Sequence, residues 1–197
     1  MKTRFCYFGY GSLVNGQTRP ATSSASAGIL RGWKRQWRIA GQTPRGKICT
    51  LTAVPDATSS IRGVLVEEEL KELADLDKRE WRYNRHDFQT SDFSPDGADF
   101  NAARHQSAYI YSAKEDQYRW GDEDHPILQS YVDCVLKGFH DLWGELGVRH
   151  FVEETEGWHV PMLSDRHNPV YPRAAKLTAQ ESDFFDTALR EIGARWL

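Results

Sequence analysis

The stretch Phe8-Gly9-Tyr10-Gly11-Ser12-Leu13 is the first place where residue types and spacing suit chemistry. Glycines at alternate positions let a backbone bend and approach a ligand closely. Successive N–H groups in such a turn form a concavity that takes an anion. The stretch lacks the GK[ST] ending of a phosphate loop and the third glycine of a dinucleotide fingerprint. As bare pattern it fits a structural turn equally well. The second such place is Leu76-Asp77-Lys78-Arg79-Glu80-Trp81-Arg82-Tyr83-Asn84-Arg85. Glu80 falls between a short helix and a strand, where one carboxylate can take and return a proton. The negative helix end, Asp77 and burial against Trp81 favour the protonated acid, whereas Lys78, Arg79 and Arg82 favour the carboxylate. Sequence leaves that balance open, and a glutamate among arginines also fits a surface ion pair.

These residues need elements to hold them. Residues 4–10 are aromatic-rich and end in glycines, which predicts a buried strand running into a tight loop. Residues 22–28 are small and polar and predict an exposed connection. Residues 29–39 alternate tryptophan with basic side chains, the two-residue period of a half-buried strand. Strands are predicted at 47–54 and 60–66, with Pro55 and Asp56 as the turn between them. A short helix is predicted over 67–77, with Glu67 to Glu69 at its positive pole. Residues 86–89 and 107–111 read as strands, and 91–103 as an irregular, mobile loop. Pro126 suits the first turn of a long helix. Its stripe is Leu128, Val132, Val135, Leu136, Phe139, Leu142 and Trp143, and Gly144 ends it. Thr178 and Glu181 form a capping box for the last helix, with Phe184, Phe185, Leu189 and Ile192 inward. Strands and helices do not alternate regularly, which disfavours a doubly wound sheet. The expected fold is α+β, a small mixed β-barrel with helices outside.

Taken together, the loop and the glutamate resemble the γ-glutamyl cyclotransferase-like superfamily. The stretches that carry the resemblance are 7–13, 63–66 and 76–85, in that order: a YGSL loop, a glycine-strand-helix segment, then LDxxE and Tyr-x-Arg. The resemblance covers about the first 140 residues. It implies the small β-barrel fold and an enzyme that releases 5-oxoproline from γ-glutamyl compounds without a cofactor. It implies that Gly9, Tyr10, Gly11, Ser12 and Leu13 hold the γ-glutamyl group through backbone amides, with Glu80 as the acid/base. Tyr83 is a substrate contact on this reading and a packing residue on the other. Residues 150–175 lie outside the motif set. They read either as a strap over the barrel mouth, with Arg166, Arg173 or Trp158 touching the rest of the substrate, or as a segment that only packs on the core.

Composition narrows the classes. The chain has 197 residues and a formal net charge of −3, which predicts one domain and no nucleic-acid partner. Three cysteines without a CxxC pair predict reduced thiols, no disulfide and no zinc. The histidines show no metal-ligand spacing and read by default as exposed or hydrogen-bonded side chains, with entry into a pocket the alternative reading for His159 and His167. Some of the seven tryptophans are expected to line a pocket, the rest to fill the core. No stretch reaches the roughly 18 apolar residues of a membrane span, and the start does not read as a signal peptide. The expected setting is a cytoplasmic monomer or homodimer whose partner is a small molecule. Rival readings are a binding or regulatory protein on the same fold, and an amide hydrolase using the same pocket.

Overall fold

The computed structural model describes residues 4–80, 82–97 and 107–197. One long hairpin organises it. β2 (Ser24–Thr43) and β3 (Gly46–Glu69) run antiparallel from Ser24 opposite Glu67 to Thr43 opposite Gly46. Trp33 and Trp37 are buried while Lys34 and Arg38 remain half-buried, as the alternation predicts. Arg35 shares the inward face of Trp33 and Trp37 and so places a charge in the buried row. It is fully buried, its guanidinium lies against the rings of Phe139 and Phe151, and it donates to the Arg62 carbonyl (3.0 Å). Burial lowers its proton affinity to about 9.

The hairpin corrects two expectations. From Ser24 onward the predicted connection is strand. Pro55 and Asp56 do not end a strand. Trp33 pairs with Pro55 and Arg31 with Ser60, so residues 56–59 bulge opposite Gly32 alone. Asp56 accepts from the Thr58 backbone N–H (3.0 Å) and hydroxyl (2.7 Å), so the turn chemistry is real but contained within a continuous strand.

β1 (Arg4–Gly9) lies between β3, antiparallel, and β6 (Ser107–Ala113), parallel. β4 (Tyr83–Gln89) pairs with β6, and β5 (Phe93–Pro95) with β2. The main path is therefore β4-β6-β1-β3-β2-β5. β7 (Ile127–Leu128), β8 (Thr155–Glu156) and β9 (Met162–Leu163) add short parallel pairings to β3, β2 and β7. The result is the expected α+β architecture of a mixed sheet with helices packed outside it.

The predicted helix over 67–77 starts late. Glu67 to Glu69 end β3 and pair with β1, and buried Glu68 accepts from the Tyr7 hydroxyl (2.6 Å). Long-range pairing wins over the local charge pattern. A 3-10 turn at Leu70–Glu72 then leads into α1 (Leu73–Arg79). The predicted strand at 86–89 begins earlier, at Tyr83. The predicted loop at 91–103 opens with ordered structure, a 3-10 turn at Thr90–Asp92 followed by β5. Residues 98–103 of that loop, and Trp81, lie outside the described residues.

Pro126 is not in the first turn of the long helix. It precedes β7, and its carbonyl accepts from the Cys49 N–H (2.8 Å). The helix α2 spans Gln129–Glu153. Its stripe from Leu128 to Phe139 is buried, but Leu142 is exposed. Gly144 ends the first helical run as expected: its φ of 61° is non-helical, a backbone state glycine reaches without steric cost, and a second helical run follows to Glu153. α3 (Ala179–Glu191) begins with the predicted capping box and buries Phe185 and Leu189. The segment 150–175 is not free of regular structure. It holds the end of α2 together with β8 and β9.

Candidate active site

β1 delivers the loop. Beyond Gly9 the chain enters a 3-10 turn at Ser12–Val14, closed by Val14 N–H to the Gly11 carbonyl (3.0 Å) and Asn15 N–H to the Ser12 carbonyl (3.1 Å). Asn15 locks the turn onto α2 by donating to the Cys134 carbonyl (3.0 Å), and the Thr18 hydroxyl donates to the Ser12 carbonyl (2.7 Å). Gly11 is required by space. A Cβ there would sit 2.9 Å from the Tyr131 hydroxyl oxygen and 3.3 Å from a Leu51 methyl.

Glu80 caps the C-terminus of α1. Its N–H donates to the Leu76 carbonyl (2.9 Å), and its own carbonyl accepts from Tyr83 N–H (2.8 Å). That tight turn swings the chain from α1 into β4 and leaves Glu80 half-buried.

The two places meet in one recess of about 40 Å³. Tyr10, Gly11, Ser12, Leu13, Glu80 and Tyr83 line it, with Phe8, Leu51, Tyr111 and Tyr131. Gly9, by contrast, is a β1 residue paired with Val64 behind the recess. The tyrosines are held firmly. Tyr10 donates to the Tyr111 carbonyl (2.6 Å), Tyr83 to the Leu51 carbonyl (2.8 Å), and Tyr111 to the Asp77 carboxylate (2.8 Å). Tyr131 packs edge-on against Trp37 and Tyr171. Burial pushes the phenols of Tyr10, Tyr83, Tyr111 and Tyr131 above their ordinary value, and the Glu80 carboxylate adds to the shift in all four. The recess is thus a ring of neutral hydroxyls around one carboxylate.

The recess opens into a larger cavity of about 230 Å³, with Ser12, Glu80, Tyr83 and Tyr131 common to both. The outer walls come from the β2–β3 hairpin tip (Thr43, Pro44, Arg45), from Arg82, and from Tyr171 and Arg173 of the 150–175 segment. Cys49 also lines it, with its thiol pushed up to about 12 by burial.

The match to known proteins decides the family. A family model described as ChaC-like protein matches residues 6–135.

The chain belongs to the ChaC-like family.

No curated protein matches it by sequence. Among solved structures, a protein named gamma-glutamyl cyclotransferase is 15% identical, with a TM-score of 0.60 over 94% of this chain and 99% of that one. An uncharacterized human protein is 14% identical at 0.55, over 93% and 98%. A yeast gamma-glutamyl cyclotransferase specific to glutathione is 11% identical at 0.50, over 96% and 97%. At these identities the likeness is one of fold, and it matches the α+β fold expected from the sequence.

Within this ChaC-like chain, several residues of the site are not flagged by sequence patterns. Tyr111 arrives on β6 and Tyr131 on α2. Tyr131 lies three residues after Leu128 and four before Val135, so helical spacing puts it on the stripe facing the sheet. None of the tryptophans lines either cavity among the described residues; tyrosines do that work. Of the segment's named candidates, only Arg173 reaches the cavity. Arg166 is held by Asp133 (2.8 Å) and Asp186 (2.7 Å), and buried Trp158 donates to the Val152 carbonyl (2.8 Å). His159 packs on Trp120, and His167 lines a separate pocket beside Arg166. His140, Asp141 and Glu181 converge, but the Lys137 ammonium already bonds Asp141 and approaches Glu181. Cys6, Cys49 and Cys134 are buried and form no disulfide. No helix among the described residues is long and apolar enough to cross a membrane.

Proposed function

We propose that this protein is a γ-glutamyl cyclotransferase-type enzyme, releasing 5-oxoproline from a γ-glutamyl peptide or amine, with Glu80 as general acid/base. The observation that carries the reading is the recess itself. A glycine loop and a half-buried carboxylate, remote in sequence, face one space lined by neutral hydroxyls. Membership of the ChaC-like family and the fold shared with proteins named gamma-glutamyl cyclotransferases support it.

The chemistry asks little of the protein beyond position. The substrate's α-amine attacks its own γ-carbonyl, forming a C–N bond and a five-membered ring. The amide C–N bond breaks, and the departing amine needs a proton. Glu80 accepts the proton from the attacking amine and returns it to the leaving amine, so the enzyme ends unchanged. Holding the chain folded back supplies much of the acceleration; well-oriented intramolecular reactions gain about 7–11 kcal/mol. The loop from Tyr10 to Leu13 grips the γ-glutamyl end, Tyr83 packs beside it, and the Tyr131 hydroxyl flanks the carbonyl that becomes an oxyanion. On this reading the whole chain is one domain, the substrate is a small molecule, and no cofactor enters the reaction. Buried cysteines outside any disulfide suit a reducing, cytoplasmic setting.

Incubation with γ-glutamyl amino acids, peptides and amines, assayed for 5-oxoproline, tests the reading. Release of 5-oxoproline with the free amine is expected. Release of free glutamate instead identifies an amide hydrolase, and tight binding without turnover identifies a binding protein.

A further inference from the structure

The outer cavity carries charge that the proposed ring closure does not use. Arg45, Arg82 and Arg173 line it, and Glu80 is the one carboxylate among its described lining residues. Other surface arginines are neutralised nearby: Arg85 faces Asp77, Arg119 Asp122, Arg149 Glu191 and Arg62 Asp96. Arg45 and Arg173 are exposed and have no ion-pair partner among the described residues.

Their placement is built rather than incidental. Arg45 sits in the two-residue turn closing the β2–β3 hairpin, where the Thr43 hydroxyl accepts from its N–H (3.1 Å) and donates to the Gly46 carbonyl (2.9 Å). Arg173 rides on a segment fastened to the start of α2. Asp165 accepts from Ser130 N–H (2.7 Å), Ser130 hydroxyl (2.5 Å) and Val170 N–H (2.9 Å). Tyr171 N–H donates to the Ser130 hydroxyl (3.2 Å), and its ring packs on Tyr131 at 4.9 Å. Pro172 then restricts the backbone that leads to Arg173. Two cations from separate elements therefore face the side of the cavity away from the recess.

We propose that Arg45 and Arg173 are the specificity residues for the leaving group, and that they bind a carboxylate on the departing amine. This inference rests on the reading under Proposed function and chooses within it. The preferred substrate is a γ-glutamyl amino acid or peptide with a free carboxylate, and not a γ-glutamylamine whose amine is neutral or cationic. A guanidinium matches a carboxylate in shape and charge, and a cationic amine would be repelled by the same pair.

The test compares kcat/KM for γ-glutamylalanine, γ-glutamylalaninamide and a γ-glutamyldiamine, read as 5-oxoproline released. The acid is expected to exceed the amide by about ten-fold or more, and the diamine to be poorest. The double substitution Arg45→Ala with Arg173→Ala should bring the acid-to-amide ratio towards one, chiefly through KM of the acid. Arg173→Glu should raise the diamine relative to the acid. Unfolding midpoints should hold, since neither side chain has an ion-pair partner among the described residues. Equal turnover of acid and amide by the unaltered protein, or a preference that survives the double substitution, overturns the inference while leaving 5-oxoproline release intact. Absence of 5-oxoproline from every substrate overturns the underlying reading and this inference with it.

Discussion

The recess and the outer cavity share Ser12, Glu80, Tyr83 and Tyr131, yet they are built in opposite ways. The recess draws on β1, β6 and α2; Tyr10, Tyr83 and Tyr111 are hydrogen-bonded to backbone or to Asp77, and Tyr131 is packed between Trp37 and Tyr171. The outer cavity draws on a hairpin tip, a turn and a fastened segment, and its arginines are half-buried or exposed. The first arrangement suits a fixed reaction, because rigid elements hold atoms to the tolerance chemistry demands. The second suits choice of substrate, because loops on a rigid frame vary without disturbing it. The two strap arginines sharpen the point: Arg166 is spent on holding the segment, and Arg173 is left facing the cavity.

Perturbing each region should separate these roles. After loss of Glu80 itself, Gly11→Val is expected to have the largest effect on activity. Its side chain would displace Tyr131 and fill the recess, lowering kcat/KM about 100-fold. Steady-state assay with any accepted substrate checks this, and a loss below about five-fold would mean that the recess is not where the reaction occurs. Next, Arg166→Ala removes the partner of nearly buried Asp133 and should cost about 3 kcal/mol in denaturant unfolding. Its kinetic effect should fall on KM more than on kcat, because the strap lines only the outer cavity. Tyr111→Phe deletes the hydrogen bond to Asp77, worth about 1 kcal/mol, and should lower kcat about five-fold with KM little changed. The smallest effect is expected at Cys49. With its thiol pushed up to about 12, about one molecule in ten thousand is thiolate at pH 8. Alkylation should therefore be very slow at that pH, and faster only as pH rises towards 12. Rapid inactivation by iodoacetamide at pH 8, traced to Cys49, would contradict its burial.

Much of the recess was legible in the sequence because its key parts are local. Tyr10 to Leu13 are contiguous, and Glu80 stands at a helix end that the pattern marks. The capping box at Thr178 and the buried stripe of α2 were equally readable, each being a rule about neighbours. What escaped depends on long-range pairing. Glu67 to Glu69 look like a helix start until β1 is laid beside them. Pro55 and Asp56 look like the end of a strand until Trp33 is found opposite Pro55. Tyr111, Tyr131 and Arg45 reach the site only because the sheet, helix and hairpin bring them there. Arg173 was one of three candidates on its segment, and only the anchoring of Arg166 and Trp158 separates it from them.

The central claim is that Glu80 carries the proton. Glu80→Gln keeps size and shape while removing the acid/base, so 5-oxoproline release and thermal unfolding should be measured on both proteins side by side. The account predicts a fall in kcat of about 10²- to 10⁴-fold with the unfolding midpoint held. A Glu80→Gln protein that releases 5-oxoproline at near the unaltered rate would contradict it.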